Sequence, residues 1–190
     1  MLEILKRIKE EEIPKFLFTE GSETNWESLN IDYAHPHVHR LYKDLEFSRG
    51  RNEKDGKGPS KYRVYLHKLF PVPPFTKPLF HPHPWKSAIE IMEGKYKMGI
   101  GHSDDGYKTP EEDAILILTP GSSYDMSNEK GWHYVYPLDN KPVYSIMVTG
   151  EQFPNPITNE VWESISEGLK PLTYGQKVEM ISKFQDFYKF

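Results

Sequence analysis

The sequence contains no cysteine, and this absence removes several kinds of site at once. Without thiols the chain cannot form disulfides, thiolate nucleophiles, cysteine-ligated zinc sites or iron–sulfur clusters. Any metal would have to be bound by histidine, carboxylate, hydroxyl or water.

Long apolar runs and blocks of one charge are also missing. No stretch of about 18 apolar residues occurs, and the amino-terminal segment is too charged for a secretion signal. The 24 basic and 28 acidic residues give a net charge of −4 and are spread along the chain. We therefore expect a cytoplasmic protein that binds neither membranes nor nucleic acid. Phosphate-binding glycine motifs, the serine-hydrolase elbow and the HExxH zinc helix are absent too.

Proline and tyrosine, in contrast, are frequent, with 16 and 12 copies among the 190 residues. This composition favours short strands joined by turns over a helix bundle. Alternating segments predict strands over 61–70, 87–92, 95–100, 114–118, 132–136 and 143–149. Short strands at regular spacing indicate a mainly β protein, an antiparallel sandwich or barrel spanning residues 61–150.

The two flanks of this β core differ from it. Residues 1–60 predict a short amphipathic helix that Pro14 ends, followed by a polar, irregular extension with a glycine-rich surface loop at 49–58. Residues 151–190 predict a helical extension, whose last helix is capped by Thr173 together with Gln176. The predicted helices cover 2–12, 159–169 and 174–188. We expect one domain, in which both flanks pack on the barrel.

The segment Phe80-His81-Pro82-His83-Pro84-Trp85 is the strongest sign of chemistry. Each histidine precedes a proline, which restricts it to extended backbone, and residues two apart on a strand share one face. The two imidazoles should therefore converge, as metal ligands do. The prolines cannot donate hydrogen bonds to a neighbouring strand, so the segment should lie at a sheet edge.

Two further groups of side chains remain open to more than one interpretation. His35, His37 and His39 have the same ligand spacing, but their polar surroundings indicate a surface segment or one that covers the barrel mouth. Arg63, Tyr65 and His67 share one face of a predicted strand. They line the barrel interior, where Arg63 would bind a substrate carboxylate or phosphate, or they face solvent as ordinary cross-strand neighbours.

The histidine pair also carries a family resemblance. His81-x-His83, followed by Ile91-Met92-Glu93-Gly94, resembles the first cupin motif, and Pro120-Gly121 with Gly131-Trp132-His133 resembles the second. The resemblance implies a jelly-roll (double-stranded β-helix) barrel with terminal helices, whose interior binds a metal through His81, His83 and His133. Ser87 stands where cupins usually carry a glutamate ligand. The implied site is therefore three histidines without a carboxylate, as in thiol dioxygenase relatives within the superfamily.

From this resemblance we expect a non-haem Fe(II) dioxygenase that acts on a small polar substrate. Arg63, Tyr65 and His67 would be its pocket residues if their face of the strand lines the barrel. Zinc, nickel or manganese in the same site would suit isomerisation or hydrolysis instead. The alternatives are a non-catalytic cupin that binds a small ligand, and a cupin isomerase or epimerase. Cupins are commonly dimers, and the terminal helices could support a homodimer. With ordinary imidazole pKa values, metal affinity should fall as the pH drops through about 6.5.

Overall fold

The computed structural model describes residues 1–47, 60–105, 108–154 and 169–189. The predicted loop at 49–58 and nearly all of the predicted helix at 159–169 lie outside these residues. Within them the strands are β1 (Glu27–Ile31), β2 (Val38–Phe47), β3 (Ser60–Leu69), β4 (His81–Pro82), β5 (Trp85–Glu93), β6 (Tyr96–His102), β7 (Ala114–Leu118), β8 (Ser123–Met126), β9 (Gly131–Pro137) and β10 (Val143–Gln152). The helices are α1 (Leu2–Arg7), α2 (Ile13–Leu17) and α3 (Tyr174–Asp186).

These strands form two antiparallel sheets. The first has the order β1-β2-β3-β10-β5-β8 and the second the order β4-β9-β6-β7. The eight strands from β3 to β10 contribute four strands to each sheet. Their orders, β3-β10-β5-β8 and β4-β9-β6-β7, are those of a jelly roll. The predicted mainly β, cupin-like jelly-roll fold with terminal helices is therefore confirmed by the strand order of this chain itself.

The first sheet is buried on both faces, and this places two separate cores in the molecule. Its inner face packs against the second sheet inside the barrel, with a core that includes Tyr65, Ile89, Tyr96, Met98, Val135 and Met147. Its outer face packs against the terminal helices, with a larger core that includes Leu5, Leu41, Val64, Leu66, Ile146 and Phe184. Alternate residues of β3 thus enter different cores, since successive side chains of a strand point to opposite faces.

The prediction of an irregular extension before residue 60 was wrong, because this region contains the two strands β1 and β2. β2 pairs with β3 over its whole length, from Val38 opposite Leu69 to Phe47 opposite Ser60, and β1 pairs with β2. The sequence of β2 does not look like that of a half-buried strand, because its inner face includes the charged Arg40, which lines the cavity. Its outer face contributes Leu41 to the helix-covered core.

The amino-terminal helix also runs further than predicted, because Pro14 does not end it. Helical structure continues from α1 through a wider π-type turn at Ile8–Glu12 into α2, which ends at Leu17. Pro14 lies in the first turn of α2, where a missing N–H group needs no helical partner.

The carboxy-terminal helix begins as predicted. In α3, Thr173 accepts a hydrogen bond from the backbone of Gln176, and the Gln176 side chain accepts one from the backbone of Thr173, which completes a capping box. In the described part of the chain no helix combines the length and apolar character needed to span a membrane.

The turn between β5 and β6 requires glycine. Gly94 has a φ of +79°, a conformation that other residues rarely adopt. A Cβ atom there would also lie 2.6 Å from the carbonyl oxygen of Pro142. The chain turns at Glu93-Gly94, and this turn connects β5 in the first sheet to β6 in the second.

We expect that Leu41→Ala lowers the free energy of unfolding by about 2–5 kcal/mol, because the Leu41 side chain is 0% exposed in the outer core. The matched control is Leu116→Ala on β7, where the leucine is 41% exposed and the cost should stay below about 1 kcal/mol. Urea unfolding followed by circular dichroism measures both. Equal losses in the two variants would mean that β2 is not part of the core.

Candidate metal centre

The three predicted histidines are brought together by strand pairing at the edge of the second sheet. β4 pairs only with β9, so that His81 lies opposite His133 and Pro82 lies opposite Trp132. An edge position tolerates the prolines, since their missing N–H groups are not needed for a second neighbour. The edge location predicted from these prolines is confirmed.

The imidazoles of His81, His83 and His133 form a compact cluster. One ligand nitrogen from each lies within 4.8 Å of the others. The Nε2 atoms of His83 and His133 are only 3.0 Å apart. His133 is buried, whereas His81 and His83 are partly buried. Among the described residues this is the group whose side chains could together hold a metal ion.

Each ring is oriented by a partner at its Nδ1 atom. His81 Nδ1 donates to the carbonyl oxygen of Leu79 at 3.0 Å, and His133 Nδ1 donates to the sulfur of Met98 at 3.4 Å. His83 Nδ1 lies 3.0 Å from the hydroxyl oxygen of Ser87. A second partner of this kind selects which nitrogen carries the proton and leaves Nε2 for ligation.

The donor set fits a divalent transition metal. Neutral imidazole nitrogens are common ligands of such ions, and the Nε2 atoms of His83 and His133 already converge to 3.0 Å. At this separation one of the two atoms carries a proton that it donates to the other. A metal bound by both would take its place, and His83 could then donate from Nδ1 to Ser87, since a hydroxyl both donates and accepts.

No carboxylate among the described residues completes this cluster. Ser87 is fully buried and hydrogen-bonds to His83, so the place of the usual glutamate is filled by a positioning hydroxyl. Glu90 forms an ion pair with Lys9 at 2.7 Å, and Glu93 forms one with Lys183 at 2.6 Å. Both carboxylates are therefore engaged with residues of the terminal helices.

Burial makes these imidazoles poor bases. It lowers the pKa of His81 to about 4 and the pKa values of His83 and His133 well below their usual value. The neighbouring rings lower the last two further, because adjacent imidazolium charges would repel. Protons therefore compete with a metal only at a lower pH than the 6.5 expected from free imidazole.

The cluster opens into a cavity of about 450 Å³ between the two sheets, a size that suits a small molecule. Its apolar wall includes Leu69, Leu79, Ile89, Val135 and Met147. Trp85 also lines it. The polar wall includes Arg40, Tyr65, His67, Tyr96 and Tyr124.

Two tyrosines of this wall form a hydrogen-bonded pair. The hydroxyl oxygens of Tyr96 and Tyr124 are 2.8 Å apart, and the Tyr124 ring centroid lies 6.1 Å from that of His133. Burial raises the pKa of both phenols, so both remain protonated at neutral pH. This pair can donate a hydrogen bond into the cavity. The composition of the chain did not distinguish these two tyrosines from the other ten.

The three residues predicted on one face of β3 do not all reach the cavity. Tyr65 and His67 line it, whereas Arg63 forms a two-bond ion pair with Asp44 and its side chain is 42% exposed. The arginine in the cavity wall is instead Arg40. No local motif marks Arg40, since its position depends on the register of β2 against β3.

The predicted rival segment does not join the three-histidine group. His35 and His37 stack at 4.3 Å, and Ala34, His35 and Pro36 line the cavity. The backbone N–H of Leu79 donates to the carbonyl of His35, which fixes this segment beside the metal-ligand candidates. His102 is exposed and paired with Asp113.

Comparison with known proteins leaves the function open. No protein-family profile and no curated protein sequence matches the chain. A solved cupin domain of Schizosaccharomyces pombe Cnp3 matches at 6% identity with a TM-score of 0.39, over 60% of this chain and 61% of that one. An RmlC-like cupin from Shewanella frigidimarina matches at 11% identity with a TM-score of 0.43, over 67% of this chain and 85% of that one.

A third solved structure is the hydroxypropylphosphonic acid epoxidase from S. wedmorenis. It matches at 16% identity with a TM-score of 0.42, over 67% of this chain and 56% of the epoxidase. Similarities this weak say nothing about function. The jelly-roll fold that the two motifs imply is confirmed by the strand order of this chain itself. Its candidate site is a cluster of three histidines.

We expect the metal-free protein to lose stability as the pH falls from 7.5 to 5. The folded-state pKa of His81 is about 4, below the unfolded value of about 6.5, so the unfolded chain binds more protons in this range. The loss through His81 alone should be on the order of 1–2 kcal/mol at pH 5. Urea unfolding at several pH values measures it, and His81→Gln should reduce the slope. Stability that is constant over this range would contradict the burial argument.

Proposed function

We propose that this chain is a metal-dependent cupin enzyme, a non-haem Fe(II) dioxygenase that acts on a small polar molecule. The observation that carries the proposal is the convergence of three neutral imidazoles, with two Nε2 atoms 3.0 Å apart, at a cavity between the sheets. Imidazole suits iron as well as zinc, copper and nickel. The ligands would be His81, His83 and His133.

Bound Fe(II) would supply the redox chemistry of a dioxygenase, and the residues around it prepare the cavity for that chemistry. The apolar side chains of Leu69, Ile89 and Met147 limit the entry of water, which strengthens the polar interactions of a bound substrate. Ser87 orients His83 from behind. The segment around His35 also lines the cavity.

The tyrosine pair is the candidate proton donor on the cavity wall. Tyr124 lies beside His133, and its hydroxyl is linked to that of Tyr96. Because burial keeps both phenols protonated, Tyr124 would donate a hydrogen bond to a substrate oxygen and would not remove a proton from it. Tyr65 and His67, the predicted pocket residues of β3, line the opposite sheet.

Metal binding should depend on the three histidines individually. Untagged protein loaded anaerobically with Fe(II) should hold about one iron per chain, and His81→Ala or His133→Ala should lose nearly all of it, because two remaining imidazoles bind weakly. Elemental analysis after gel filtration measures the content, and circular dichroism checks that each variant is folded.

The matched controls for this loss are His37→Ala and His102→Ala. Both histidines lie outside the cluster, so their variants should keep the full metal content. Iron that persists in folded His81→Ala and His133→Ala but disappears in His37→Ala would move the site to the rival segment at residues 35–39.

Dioxygenase activity itself is tested by oxygen uptake. Fe(II)-loaded protein incubated with a panel of thiols, catechols and small organic acids should consume oxygen with at least one of them, and folded His133→Ala should reduce the rate to that of free iron. Saturable ligand binding without oxygen uptake would favour the non-catalytic cupin. Native protein that carries zinc, nickel or manganese would favour isomerisation or hydrolysis.

A further inference from the structure

The cavity wall contains a permanent positive charge, and the described residues around it supply no matching acid. Arg40 is partly buried in this wall, and none of the described residues that line it is an aspartate or glutamate. Desolvation lowers the pKa of Arg40, but an arginine still remains protonated. A partly desolvated charge without a counter-ion is unfavourable, and an anion that enters the cavity would relieve this.

Arg40 is held in one orientation by two contacts. Its Nε atom donates to His67 Nε2 at 2.9 Å, and its guanidinium lies 4.9 Å from the centre of the Tyr65 ring. The bond to His67 requires a neutral imidazole, and burial together with the charge of Arg40 lowers the His67 pKa well below its usual value. Among the described residues, the two terminal amino groups of the guanidinium meet no hydrogen-bond acceptor, so they are available to a bound anion.

Arg63, in the same sheet, provides a comparison, because its guanidinium is paired with a carboxylate. It lies on the strand next to Arg40 and also stacks on a tyrosine, with 5.0 Å to the ring centre of Tyr42. Its Nε and one terminal nitrogen both donate to the carboxylate of Asp44. No described carboxylate forms an ion pair of this kind with Arg40.

Arg40 and the histidine cluster occupy opposite walls of the cavity. Arg40 and His67 belong to the first sheet, whereas His81 and His133 belong to the second. A divalent ion held by three neutral histidines would add two further positive charges to a space without an acidic side chain among its described lining residues. Both walls of the cavity would then attract negative charge.

We propose that Arg40 is the anion-binding residue of this cavity, and that the substrate is a small organic acid whose carboxylate or phosphonate Arg40 binds. The other end of the acid would face the three histidines. The identity of the substrate class rests on the proposed function, whereas anion binding by Arg40 does not need a metal. His67 is a positioning residue that holds the guanidinium plane for two-bond recognition.

Chelator-treated, metal-free protein provides the test, with acetate, methylphosphonate and neutral acetamide as probes at constant ionic strength. Calorimetry should show saturable binding of at least one of the two anions and none of acetamide. Arg40→Met should weaken this binding about tenfold or more, because hydrogen bonds to a charged group are lost. Arg40→Lys should restore only part of it. The matched variant Arg63→Met should stay within about twofold of wild type, and thermal unfolding checks that all variants are folded.

Several outcomes would overturn the proposal: no binding of either anion, equal binding of acetamide, or equal losses in Arg40→Met and Arg63→Met. Preference for acetate or for methylphosphonate separates the two acid classes. Stoichiometric metal binding combined with anion binding that is independent of Arg40 would refute this inference alone. Arg40-dependent anion binding by a protein that binds no metal would refute the proposed enzyme and leave the anion site in place.

Discussion

The candidate site depends on one short contact, the pairing of β4 with β9. Only two residue pairs make it, yet it sets His81 directly opposite His133 and brings His83 to within 3.0 Å of the same partner. The prolines after His81 and His83 restrict the backbone before any ligand is present, so little conformational freedom is left to lose on binding. Because β4 is an edge strand, this rigid segment costs the sheet few hydrogen bonds.

Features encoded locally could be predicted from the sequence, and features that depend on long-range register could not. The histidine pair follows from proline geometry within six residues, and the capping box of α3 follows from Thr173 and Gln176. His133 required the resemblance to a second motif, since nothing in its own surroundings marks it. Arg40 was missed, and Arg63 was the arginine considered for this role. The register of β2 against β3 decides between them, because it places Arg40 beside the cavity residue His67 and Arg63 beside Asp44.

The first sheet is buried on both faces, and this explains why hydrophobicity could not decide which face of β3 points into the barrel. Val64 and Leu66 enter the outer core, while Tyr65 and His67 line the cavity, so both faces of the strand are buried. β2 is even harder to recognise from sequence as a buried strand, because its inner face places the charged Arg40 in the cavity wall. A polar strand therefore indicates a loop when it is considered alone, and a cavity wall only when its neighbours are known.

The division into two cores also shows how the fold tolerates such a polar interior. Among the described residues the outer core contains 18 buried side chains and the inner core contains nine, so most of this apolar burial lies between the first sheet and the helices. Desolvated imidazoles and a guanidinium without a described carboxylate partner are costly in the inner layer. Because the helices stabilise the sheet from its other side, the inner layer can include these polar groups beside the cavity. The site therefore depends on the terminal helices, although these lie far from the histidines in sequence.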